Sequence, residues 1–150
     1  MLEAYLDWQR ATLRNICTGL TAEQLASRPI PSTNLSLLGL VRHMAKVERF
    51  WFRQRVAGED VAPMYDPGAG KDTDFEDGTA ADARAAIDRL DAECRAARAA
   101  AAGMSLDVTV EHHGDTMSLR MVHVHMIGEY ARHNGHADLL REAIDGSTGR

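Results

Sequence analysis

The sequence predicts an all-α protein, a four-helix bundle with a long crossover connection. Three observations predict it. Four long stretches carry apolar residues at helical spacing, turn-rich stretches separate them, and no stretch alternates well enough to build a sheet. A chain of 150 residues is one domain's worth, so a single domain over 1–150 is expected.

The first helix is predicted over residues 2–17, where Leu2, Leu6, Leu13 and Ile16 fall near helical spacing and Gly19 follows as a terminator. Thr21-Ala22-Glu23-Gln24 has the form of a capping box, and the Pro29–Pro31 region then breaks the chain. The second helix starts near Asn34 or Ser36 and ends before Gly58. Leu37, Leu40, Val41, Met44, Val47 and Trp51 face the core, whereas Arg42, Lys46, Arg49 and Arg53 share one face read as solvated. Residues 58–78 hold four glycines and two of the four prolines and show no helical period, so they form a long loop of the kind that often carries function. An alanine-rich third helix is predicted over 79–102, ended by Gly103. Residues 107–111 alternate weakly and suit a short extended piece, and the fourth helix runs from near Ser118 to before Gly146.

Composition excludes several functions. A net charge of −5 argues against a broad nucleic-acid footprint. No apolar run approaches the roughly 18 residues of a membrane span, and no basic, apolar, cleavable leader is visible. Cys17 and Cys94 have no metal or CxxC spacing and read as buried, reduced thiols of a cytoplasmic protein. Histidine is the outlier: six of seven lie between His112 and His136.

On the wheel of the fourth helix, Glu129 and His133 fall inside the apolar stripe, and His125 and His136 sit at its edge. A glutamate and a histidine directed into a core need compensation, which a divalent cation supplies. The i, i+4 pair gives two ligands, and an open site needs a third from another helix. His43, the one histidine outside the cluster, lies about a quarter turn from the centre of the second helix's core face. His43, Glu129 and His133 are therefore the predicted metal triad. Spacing alone leaves this reading level with an ordinary helical ion pair and a hydrogen-bonded core histidine. Glu48 lies nearer the centre of that core face, as a ligand, a base behind the ligands or a buried partner for a helix-four histidine. His125 is expected in a supporting or capping role, His112 and His113 in a solvated loop, and Trp51 and Tyr130 in the core.

The block Ser36-Leu37-Leu38-Gly39-Leu40-Val41-Arg42-His43-Met44, continued by Val47-Glu48-Arg49-Phe50-Trp51-Phe52, resembles the second helix of the DinB-like superfamily. The block His125-Met126-Ile127-Gly128-Glu129-Tyr130-Ala131-Arg132-His133-Asn134-Gly135-His136 resembles the signature helix of its DUF664, or mini-circle-protein, branch. The resemblance covers nearly the whole chain and is weakest over 58–78. It implies an up-down-down-up four-helix bundle, often dimeric. It also implies a divalent metal, zinc or nickel, held by one residue of helix two and two of helix four. The broader superfamily usually has histidine where Glu129 stands. The mycothiol-dependent maleylpyruvate isomerase branch resembles this chain in using glutamate there.

Two functions follow. In the first, the protein is a metal-dependent S-transferase: the metal lowers the pKa of a low-molecular-weight thiol such as mycothiol, and the thiolate attacks a small electrophile. No protein nucleophile is then required. In the second, the same fold is a non-catalytic metal- or ligand-binding stress-response protein. Isomerase or hydrolase chemistry at the same ion is a further variant. A homodimer is expected from the resemblance alone.

Overall fold

The computed structural model describes residues 1–66, 70 and 72–149. Residues 67–69 and 71, which belong to the predicted 58–78 loop, and residue 150 lie outside the described residues. The fold is mainly helical: α1 (Leu2–Ile16), α2 (Ala22–Ala26), α3 (Leu37–Glu48), α4 (Thr73–Glu76), α5 (Ala83–Ala101) and α6 (Leu119–Asp145), with one hairpin of β1 (Thr109–His112) and β2 (Asp115–Ser118).

The ends follow local chemistry. Thr21 accepts from the Gln24 amide while the Gln24 side chain accepts from the Thr21 amide, so the capping box forms as expected. Ser36 and Ser118 cap α3 and α6 by accepting from Gly39 and Met121. Gly146 takes the left-handed conformation that ends α6, at φ 77°.

Three elements depart from the sequence reading. The second helix is not uniform: α3 continues as a π-helical segment, Arg49–Val56. The 58–78 stretch is not wholly loop, because it contains the short helix α4. The extended piece has a partner strand, with Val110 paired to Met117 and His112 to Asp115. The pair turns through His113 and Gly114, both at positive φ (53° and 86°), which suits a two-residue hairpin.

Long-range contacts set the helix directions. Asn134 of α6 bonds to Gln9, and Arg141 bonds to the Ile16 and Thr18 carbonyls, so α1 and α6 run parallel. Asp7 meets Arg98 while Arg14 meets Asp91, so α5 runs against α1. His43 faces His133, and Trp51 faces His125, so α3 and its continuation run against α6. The core between them includes Leu6, Leu13, Leu37, Leu40, Met44, Leu90, Val122, Met126 and Leu140, all buried. Among the described residues no helix is long and apolar enough to cross a membrane.

Candidate metal centre

Glu129 and His133 are one turn apart on α6, so their side chains leave the helix one above the other. Antiparallel packing brings His43 of α3 opposite them. The Glu129 Oε2 lies 4.0 Å from His43 Nε2 and 3.7 Å from His133 Nε2, and the imidazoles of His43 and His133 are 4.7 Å apart. One ligand atom from each of the three lies within 4.8 Å of the others.

Several features fit these residues to a divalent cation. His43 Nε2 is buried and has no hydrogen-bond partner among the described residues. Burial, then the neighbouring His43 and His136, push His133 down to about 4, so it stays neutral at pH 7 and keeps a lone pair for a metal. Two imidazoles and a carboxylate form a mixed donor set suited to a borderline ion.

Asp74 is the residue that sequence reasoning missed. It sits in α4 with its side chain buried, 2.8 Å from His43 Nδ1 and 3.0 Å from Lys46 Nζ through Oδ2. Burial works to raise this carboxyl, but the bonds from His43 and Lys46 outweigh it and hold it down at about 2. Phe75, the next residue, stacks on the His43 ring at 4.3 Å. Its position is not readable from periodicity, because four residues inside an irregular connection carry no period.

The arginine stripe read as solvated is engaged instead. Arg42 donates to the Asp74 and Thr73 carbonyls, and Arg49 and Arg53 share the buried Glu93 of α5. The long connection and α5 cover a face that the wheel alone leaves to water.

Glu48 is not beside the triad histidines. It is fully buried and accepts from Arg10 and Tyr130, with the Cys94 thiol 3.7 Å away. Its partner on α6 is thus Tyr130, not a histidine. His125 packs against Trp51, which His112 also meets, so neither is a free surface group. His113 is exposed as expected. His136 Nδ1 is 3.4 Å from His133 Nδ1, the ring nitrogen of His133 farther from Glu129. Trp51 and Tyr130 are buried in the core, as expected.

The family model described as mycothiol S-transferase matches residues 1–146. The chain belongs to the mycothiol S-transferase family. The expected likeness to the DinB-like group is therefore met, with an activity attached to the family's description. No match was found among curated proteins or solved structures. Within a family of S-transferases, the fate of the chain's own sulfur matters. Both cysteines are buried, and burial first of all pushes Cys17 up to about 11 and Cys94 up to about 12. Neither supplies a thiolate at neutral pH.

Proposed function

We propose that this protein is a divalent-metal-dependent S-transferase that activates a mycothiol-like thiol for attack on a small electrophile. The observation that carries this is the convergence of His43, Glu129 and His133, with an unpartnered His43 Nε2 facing the other two. A bound zinc or nickel ion supplies one chemistry, lowering the pKa of a thiol beside it so that thiolate is present at neutral pH. The protein's residues do the rest. His43 and His133 offer imidazole nitrogens, and Glu129 offsets positive charge. Glu129 and His43 are partly exposed, at 24% and 16%, so a small molecule has a way in. The inert state of Cys17 and Cys94 supports an external sulfur nucleophile.

The test is metal content of protein purified without a histidine tag, alongside conjugation assays with several thiols. Bound metal near one per chain is expected, with activity lost on chelation and in His133→Ala. Full activity after either treatment overturns the mechanism. A metal that stays bound with no activity toward any thiol favours the stress-response binding protein.

The helix directions also support an up-down-down-up bundle of α1, α3, α5 and α6 in a single domain. Parallel neighbours need a long connection, and residues 57–82 between α3 and α5 provide one. We propose a homodimer built on α6 and α1. Met121, Val124 and Leu139 are exposed apolar residues on one face of α6, and Tyr5 and Trp8 of α1 are exposed as well. Gly128 and Gly135 lie on that same face, and a Cβ at either meets nothing within 4 Å. Glycine costs a helix roughly 1 kcal/mol relative to alanine, and close approach of a second backbone offsets that cost. A cytoplasmic location, with no nucleic-acid partner, completes the proposal.

A further inference from the structure

Resting on the metal reading above, we infer that α4 is a clamp that presets His43, with Asp74 as its positioning residue. Neutral imidazole carries one proton, and the partner of one nitrogen decides which. Asp74 Oδ2, an acceptor, lies 2.8 Å from His43 Nδ1. The proton is therefore on Nδ1, and the lone pair is on Nε2, the atom nearer Glu129. The ring is fixed as well as its proton. Phe75 stacks on it at 4.3 Å with an interplanar angle of 21°.

The clamp is itself held. Lys46 Nζ donates to the same Asp74 oxygen at 3.0 Å, which keeps it an acceptor. Arg42 bonds the Thr73 and Asp74 carbonyls at 3.0 Å each, and Arg28 bonds the Glu76 carbonyl at 2.7 Å. The backbone of Phe75 sits directly over Gly39, where a Cβ would lie 2.6 Å from its carbonyl oxygen. A four-residue helix with no side-chain cap bond is thus held from outside by Lys46, Arg42 and Arg28. Such outer partners of a metal-bound histidine typically contribute 10–100-fold to metal affinity.

The test measures Zn2+ affinity by chelator competition in wild type, Asp74→Asn and Asp74→Ala. It also measures the His43 tautomer by 15N NMR in metal-free wild type. Asp74→Ala is expected to weaken Zn2+ binding 10–100-fold, with Asp74→Asn between it and wild type, because the amide keeps an acceptor but loses the charge. Metal-free His43 is expected to carry its proton on Nδ1. Affinities within twofold of wild type in both variants, or a proton on Nε2, overturn the inference. If wild type binds no Zn2+, the metal reading fails, and the tautomer alone decides whether Asp74 presets His43. If Asp74→Ala does not fold, the near-isosteric Asp74→Asn and the wild-type tautomer still decide it.

Discussion

Arg10 and Glu48 meet through two hydrogen bonds, of 2.7 and 2.6 Å, with both side chains buried between α1 and α3. The Tyr130 hydroxyl donates to the same carboxylate at 2.8 Å, which ties α6 to the pair. Breaking such a pair leaves one charge buried without compensation. Arg10→Met is expected to destabilise by about 3–5 kcal/mol, and Tyr130→Phe by about 2 kcal/mol. Arg10→Met/Glu48→Met is expected to cost less than the sum of its singles, because no lone charge remains. Urea unfolding of wild type, Arg10→Met, Glu48→Met, the double variant and Tyr130→Phe measures this; additive losses in the double variant contradict it.

Gly39 lies one turn before His43 on α3, and a methyl group there would strike the Phe75 backbone. Gly39→Ala is expected to lift α4 away from His43 and weaken Zn2+ binding severalfold. Chelator competition reads the affinity. An unchanged value means that α4 tolerates the shift.

A ligand that binds only the folded chain stabilises it. At a hundredfold excess over Kd, Zn2+ is expected to add about 2.7 kcal/mol to wild-type stability. His133→Ala is expected to show little of this gain. Thermal melts with and without Zn2+ make the comparison, and equal gains in both proteins would mean His133 is not a ligand.

The cysteines give a pH prediction. Their pKa values are raised from 9.0 to about 11 and about 12, so the folded state holds these protons more tightly than the unfolded state does. The stability they contribute is complete below pH 9 and fades as pH rises through 11 to 12. At pH 8 native protein is expected to resist iodoacetamide, whereas denatured protein is alkylated at both positions. Rapid alkylation of native protein contradicts the burial.

The proposed dimer is tested by Val124→Asp/Leu139→Asp. A charge pair on that exposed face is expected to give a monomer in light scattering, with Zn2+ affinity unchanged. A double variant that stays dimeric places the interface elsewhere.

How far the sequence reveals this molecule depends on the range of each interaction. The capping box at Thr21, the cap at Ser118 and the stop at Gly146 are local, and the residues involved announce them. The meeting of Glu129 with His133 is likewise local, and their place in an apolar stripe points inward to a partner such as His43. Asp74 is different, since its role depends on a histidine 31 residues away. Arg10 reads as an ordinary helical arginine until α3 supplies Glu48, 38 residues on. The stripe from Arg42 to Arg53 misleads for the same reason. A helical wheel shows which residues share a face but not what folds over it, and here the cover is a connection without pattern together with Glu93 of α5. The π-helical turn also escapes, because Arg49–Val56 has the composition of a common helix.

The parallel pairing of α1 with α6 bears on how the chain reaches its fold. Gln9 finds Asn134, and Ile16 finds Arg141, across 125 residues. During synthesis α1 leaves the ribosome long before α6 exists, so Leu6, Leu13 and Ile16 lack this neighbour until α6 has emerged. Closing so wide a loop slows folding compared with helical proteins whose neighbours are adjacent in sequence. Truncated nascent chains ending before α6 are expected to expose this apolar face of α1, even though Arg10–Glu48 and Asp7–Arg98 already tie the helix to α3 and α5.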